Sequence, residues 1–496
     1  MHQIIILLGV LVLLYFLLVR FIYFTLWIPF KIQRHLNRQG IKGPRYRPIY
    51  GNTCEFKNEL DRTYEKPMGL ISHDIIHRVD PCFHKWSAMY GKTMLFWHGS
   101  IPRLTIAEPE MLKEVFLNKS GKVIKVSLPP LANQLFGKGL VGLEGEKWSV
   151  HRKAANPAFF VDRVKSWIPE VVDSTKKVVE RWENDLGGVG EIEVDVLKEF
   201  HILSTEILSR TGFGSNFEEG RRIHELIDRQ AQLTMLALRS VYIPGFRFLP
   251  TRNNRLRRNL SNQTRRLIRD LIERQRKVGG NSNCLLSFLI NGELSTEEVI
   301  DECQTFYFAG KEIVAIFLSW TLLLLALHPE WQTKAREEVF QVCKNDEFPN
   351  GDALNDMKVV TMILNETLRL YPPIAVVVRQ ASENMKVGNL DVPAGTQFYL
   401  PIAAAHHDPE IWGPDANEFN PQRFSEPRKH LASFIPFVIG SRMCIAPNFS
   451  IMEGKIILAM ILKKFAFQPS PAYVHAPATF LTITPLYGAQ ILFRRI

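Results

Sequence analysis

Phe437-Val438-Ile439-Gly440-Ser441-Arg442-Met443-Cys444-Ile445-Ala446 is the stretch on which the reading of this 496-residue chain turns. Gly440 lets the backbone turn tightly with no Cβ in the way, and the amides that follow can point at the Cys444 sulfur and moderate its charge. A thiolate held in this manner is a candidate metal ligand, ionised, oriented and shielded from oxidation. A buried structural cysteine is the plainer alternative.

Further motifs lie upstream. Glu366-Thr367-Leu368-Arg369 sets a carboxylate and a guanidinium three apart on one helix face, followed by Tyr371-Pro372-Pro373. Pro421-Gln422-Arg423-Phe424 brings a second arginine, and Trp148 and Arg152 stand as W-x-x-x-R. In this order, with the cysteine loop last, the set resembles the cytochrome P-450 family. The resemblance implies heme b (iron protoporphyrin IX) with Cys444 as iron ligand and Arg442, Arg379, Trp148 and Arg152 as propionate partners. Phe437 would shield the thiolate, and Ala446 is small enough for the next helix to pack close beneath the macrocycle. Glu366, Arg369 and Arg423 would form one cluster. The likeness covers nearly all of the chain after residue 40. It runs towards the plant clan that hydroxylates terpenoids, brassinosteroids and gibberellins, through Ser72-His73-Asp74-Ile75, Gly145-Glu146-Lys147-Trp148, Asn156-Pro157-Ala158-Phe159 and a loop from Val241.

Residues Ile4 to Val19 are apolar or glycine, then come Arg20 and an aromatic stretch to Phe30. Sixteen helical residues reach only about 24 Å, so a membrane span has to continue past Arg20, which would snorkel to the interface with Tyr23 and Trp27. No cation precedes the run and no A-x-A site closes it, which argues for a retained anchor over a cleaved signal. Lys31, Arg34, Arg38, Lys42, Arg45 and Arg47 follow with no acid before Glu55, so a single-pass anchor leaves the catalytic domain in the cytosol. The resemblance makes the endoplasmic reticulum the membrane. The expected organisation is an anchor over 1–30, a basic, proline-bearing linker over 31–50 and one haem-thiolate domain over 51–496.

That domain reads as mainly α with a small β side sheet. A capping box, Ser295-Thr296-Glu297-Glu298, opens a helical pattern free of proline to His328-Pro329, a helix of roughly 50 Å. Met94–Trp97, Leu390–Val392 and Gln397–Leu400 read as strands of the side sheet, and Leu481–Pro485 as a hairpin closing the pocket. Gly187-Gly188-Val189-Gly190 and Gly279-Gly280-Asn281-Ser282 read as surface loops, since neither has a phosphate-cradling pattern. The cysteines, Cys54, Cys82, Cys284, Cys303, Cys343 and Cys444, lack any C-x-x-C pair, so zinc and a disulfide framework are poorly supported. His151, His406 and His407 lack ligand spacing and read as ordinary polar residues.

A net charge of +11 asks for a partner. Arg252 to Lys277 is the densest basic segment, but its leucines and isoleucines recur at helical intervals, which makes it a solvated amphipathic helix. No nucleic-acid motif accompanies the charge. The resemblance implies instead an NADPH-dependent flavoprotein reductase docking below Cys444, with Lys147, Lys153, Arg428 and Lys429 as candidates.

The long helix departs from the family where the chemistry lies. Ala309-Gly310-Lys311-Glu312-Ile313-Val314 carries isoleucine where the family has threonine, so the hydroxyl that relays a proton is missing. Ala309 and Ile313 share a helix face and both should look at the haem, while Glu312 is the candidate relay. Pro447 is a second departure, tolerated in a first helical turn. Ser127–Phe136, Ile374–Val378 and Leu481–Ile483 are the expected walls of a cavity for a small lipophilic substrate, and the loop Val241–Pro250 would rest on the bilayer. The expected activity is monooxygenation with O2 and reductase-delivered electrons. An isomerase or dehydratase of the same fold, or a non-catalytic haem protein that binds a lipophile, remains open.

Overall fold

Apolar residues from Ile4 onward and the absence of an early breaker produce one long N-terminal helix, α1 (Gln3–Asn37), with mean hydropathy 2.9 and none of its most apolar window buried. Tyr23–Trp27 winds as a π-turn, and the Tyr46 hydroxyl donates to Thr25 O at 2.6 Å within it. Beyond Phe30 the helix continues to Asn37, where Leu36 is fully buried and His35 and Gln39 reach Asp391 O. Residues 31–37 therefore join the apolar part of α1 to the domain as a stiff rod and not as a flexible linker. The computed structural model describes all residues except Met1, Val189, 239–247, 278–282, 345–347, Asn350 and Lys429. Most of the loop from Val241, the glycine cluster from Gly279 and Lys429 lie outside the described residues.

The helices that position the site are α2 (Gly145–Ala155), α3 (Val196–Phe213), α4 (Phe217–Leu238), α5 (Arg252–Lys277), α6 (Thr296–Leu327), α7 (Lys358–Leu370) and α8 (Pro447–Lys464). Ser295 accepts from the Glu298 amide while Glu298 reaches back to Ser295, so α6 begins as the capping box specifies. Its residues from Val314 to Ala326 are nearly all buried, which makes α6 a core helix despite its membrane-like hydropathy. Leu260, Ile268, Leu271 and Ile272 turn inward on α5, leaving its arginines mostly outward, as the amphipathic pattern requires.

Strands β1 (Leu95–His98), β2 (Ile101–Thr105), β3 (Val123–Lys125), β4 (Val377–Ala381) and β5 (Gln397–Leu400) form one sheet in the order β1-β2-β5-β4-β3. Leu390–Val392 is a strand but stands outside that sheet, paired with Met385–Val387 alone. The β3–β4 register sets Lys125 directly opposite Arg379, two residues far apart in sequence that now share one face. Behind the sheet, Glu366 and Arg369 of α7 are fully buried. Arg369 grips Glu366 at 2.7 and 2.8 Å and spends its remaining donors on the carbonyls of His406, Ala416 and Glu418. Arg423 approaches Glu366 at 3.5 Å, completing the expected cluster.

Candidate active site

Cys444 sits at the end of a tight loop that its own backbone closes. Its amide donates to Phe437 O at 2.9 Å, and Met443 N donates to Gly440 O at 3.1 Å. Gly440 has φ of 85°, and a Cβ there would lie 2.4 Å from Phe116 O, so both the turn and the close approach require glycine. Val438 also has positive φ, 62°, an uncommon conformation for a β-branched side chain. Pro447 opens α8 within its first turn, where no helical amide is lost. Burial pushes the Cys444 thiol up, while the Ala446 amide, 3.4 Å from Sγ, and nearby Arg152 pull it down.

Above the sulfur lies a cavity of about 640 Å³. Ala309, Gly310 and Ile313 of α6 line it, as do Phe437 and Ala446. Ser127, Ile374 and Val376 to Val378 add walls where the sequence placed them. The segment Leu481–Ile483 is not among the lining residues. Ile483 is tied down elsewhere, its amide on Pro373 O and its carbonyl accepting from Trp320 Nε1 at 2.8 Å. Glu312 also lies outside the lining: its carboxylate is 3.8 Å from His201 Nδ1, and Thr482 hydrogen-bonds it. Burial raises the Glu312 carboxyl and lowers His201 to about 3, so this contact joins a neutral imidazole and is no ion pair at neutral pH.

One end of the cavity is ringed by cations: Arg103, Lys125, Arg152, Arg379 and Arg442. The Arg442 guanidinium stacks over Trp148 at 3.9 Å and donates to Leu143 O, and Arg152 donates to Met443 O at 2.9 Å. Arg379 donates to Val378 O at 3.0 Å. Glu144 is the carboxylate in their midst, accepting the Lys125 amide at 2.6 Å and pairing with Arg442. It does not balance them. Burial, then the positive charges of Arg379 and Arg442, bring the Lys125 ammonium down to about 7, and burial with Arg442 brings Arg379 to about 10. Half-buried cations in excess, facing a cavity with a thiol on its wall, fit a flat apolar group bearing carboxylates and a metal. Haem is such a group, and the residues present suit it.

Sequence reasoning missed Lys125, Glu144 and Arg103. None carries a local motif, and Lys125 reaches the ring only through the β3–β4 pairing. The histidines prove structural: His151 Nδ1 lies 2.6 Å from Glu302, His406 Nε2 accepts from the Ile435 amide, and His407 bridges Asn417 and Leu370 O. Among the described residues no His, Cys, Asp and Glu cluster suits a metal ion, and the cysteines are all free thiols.

Residues 69–487 match the family model described as Cytochrome P450. Cytochrome P450 734A1 of Arabidopsis thaliana is 41% identical over 485 residues, covering 95% of this chain and 93% of the relative. Cytochrome P450 CYP72A616 of Paris polyphylla is 40% identical over 490 residues, with 95% and 94% covered. The 7-deoxyloganic acid hydroxylase of Catharanthus roseus is 40% identical over 494 residues, with 94% of each chain covered.

Proposed function

Because the chain belongs to the cytochrome P450 family and is a monooxygenase of its plant branch, we propose that it hydroxylates a small lipophilic, terpenoid- or steroid-like substrate. Its electrons come from NADPH through a flavoprotein reductase, and α1 anchors it in the endoplasmic reticulum with the domain in the cytosol. The observation that carries this reading is the Cys444 sulfur on the wall of an apolar cavity that Ala309, Gly310 and Ile313 also line, beside an excess of half-buried cations. The relative named as a 7-deoxyloganic acid hydroxylase supports hydroxylation as the reaction.

Haem, when bound, supplies oxygen activation. Cys444 would hold its iron, while Arg152, Arg379, Arg442 and Lys125, with Trp148 alongside, would hold its carboxylates. The Ala446 amide tempers the thiolate charge. Leu208, Phe306, Phe317 and Val376 wall the cavity with apolar surface, excluding water and orienting a lipophile by shape. Ile313 offers no hydroxyl at the position where a proton is needed, and Glu312, its carboxyl raised by burial, lies outside the cavity lining beside His201. Protons therefore arrive through water or through a hydroxyl of the substrate itself. Lys147, Lys153 and Arg428 are exposed and offer a basic face to an acidic reductase.

Ile313 is also the observation that favours a second reading, a P450-fold isomerase or dehydratase that does not activate oxygen. Reconstitution with a reductase in lipid, with NADPH, oxygen and product measured together, separates the two. Hydroxylated product in step with NADPH supports the proposal. Turnover of hydroperoxides without NADPH supports the second reading, and ligand-induced spectral shifts with no turnover reduce the protein to a lipophile binder.

A further inference from the structure

We infer that the cleft between α4 and α5 is a binding site for a phosphate group. Arg222, Glu225 and Arg229 of α4 face Gln263 and Arg266 of α5 around a volume of about 270 Å³. Leu226 and Leu267 give it a partly apolar floor. The cleft is separate from the cavity above Cys444, and the argument does not rest on the proposed reaction.

Arginine is abundant on both helices and in part matched. Arg221 holds Glu218 and Glu225, Arg265 holds Asp301 and Glu297, Arg269 shares Glu297, and Arg274 reaches Glu219. Arg222, Arg229 and Arg266 are not matched, and unlike Arg252 and Arg255, equally unpaired among the described residues, they converge on one cleft. Among the described residues none of them has an ion pair or a side-chain hydrogen bond, and all are exposed into the same cleft. Asp228, beside Arg229, is committed to Lys311 at 2.6 and 2.5 Å, and Glu225 on the rim is 2.9 Å from Arg221. Residues 239–247 and 278–282, adjoining these helices in sequence, contain no Asp or Glu and supply no counter-charge.

Four guanidiniums, those of Arg221, Arg222, Arg229 and Arg266, therefore stand against the carboxylates of Glu218 and Glu225, leaving two positive charges in a concave site. Concavity concentrates their field, and planar guanidinium forks match the oxygens of a phosphate in paired hydrogen bonds. A dianionic phosphate monoester balances the charge, and the leucine floor accommodates the organic part that carries it. Two sources offer this chemistry, a soluble organic or inorganic phosphate and the headgroup of phosphatidic acid.

The test uses the full-length, haem-loaded enzyme in phosphatidylcholine vesicles, following hydrogen exchange of peptides over 222–229 and 263–267. One arm adds inorganic phosphate against chloride at matched ionic strength, and the other replaces part of the lipid by phosphatidic acid. With the probe at ten times its dissociation constant, exchange through openings that destroy the site slows about tenfold. Protection by buffer phosphate identifies a soluble ligand, and protection by phosphatidic acid alone identifies the headgroup. In either case the effect should vanish in R222Q/R229Q/R266Q and persist in the equally charge-depleted K176Q/K198Q/K386Q. No protection in either arm, or equal protection in both variants, overturns the site and leaves a solvated helix face.

Discussion

At Val438 the loop that presents Cys444 pays for its shape in backbone conformation. A β-branched residue at φ 62° is strained, and such strain costs about 1–3 kcal/mol. Val438→Gly should therefore raise stability by about 1 kcal/mol, offset only in part by the methyl contacts it gives up, as read from thermal unfolding followed at the haem band. A melting temperature lowered by the change would show that the packing of Val438 outweighs the strain. Ile313 poses the chemical counterpart. Ile313→Thr restores a hydroxyl on the α6 face that lines the cavity, so less hydrogen peroxide should be released per NADPH consumed. An unchanged peroxide yield would mean that the missing hydroxyl is not what limits coupling. Both residues could be named from the sequence, Ile313 even with its facing, because a helix fixes which residues four apart share a side. The strain at Val438 could not, since its φ belongs to the folded loop and not to the residue, and Lys125 could not, since only strand pairing brings it to Arg379.

Elements read from local rules arrived where expected, and two whose place depends on a partner did not. The α6 capping box and the amphipathic α5 are local facts, and each helix begins and faces as its sequence dictates. Leu390–Val392 is a strand as its residues suggest, yet its partner is Met385–Val387, because the tight turn at Gly388 joins those two segments into their own hairpin. Likewise the hairpin at Ile483 exists, but it backs onto Pro373 and Trp320, and Pro373, not Ile483, lines the cavity. The helix α7 is the element with most at stake. Removing the Arg369 guanidinium strands a fully buried Glu366 and leaves the carbonyls of His406, Ala416 and Glu418 without a donor. Breaking one partner of such a pair costs about 3–5 kcal/mol, so Arg369→Ala should fail to retain haem and expose the segment from His406 to Glu418 to proteolysis, whereas Lys386→Ala, on the surface, should change neither. A haem-loaded, protease-resistant Arg369→Ala protein would contradict this.

Across the whole molecule the buried histidines set the response to acid. Burial lowers His73 and His406 to about 3 and His407 and His475 to about 4. They join separate parts of the fold: the His73 Nδ1 lies 2.8 Å from the Tyr371 hydroxyl, and His475 Nε2 lies 3.0 Å from Ser72 O. In the unfolded chain each titrates near its ordinary value of about 6.5, so the unfolded state takes up the proton first. Their contribution is complete above pH ~6.5 and is lost progressively as pH falls towards their folded values. Three carboxyls oppose them, Glu312 with its pKa raised by burial among them. Burial raises Asp80 to about 6 and Glu453 to about 8, so each holds a proton in the folded state that the unfolded state has released, and each favours folding as the pH drops. The histidines outnumber these carboxyls, so the melting temperature should fall continuously between pH ~6.5 and ~4. Glu453→Gln supplies the check on sign: it removes the cost of holding a buried carboxyl protonated at neutral pH and should raise stability there. It also removes one opposing proton, so stability should fall more steeply with acid, by about 1.4 kcal/mol per pH unit. An acid limb of unaltered slope in that variant would mean that Glu453 is already ionised in the folded protein.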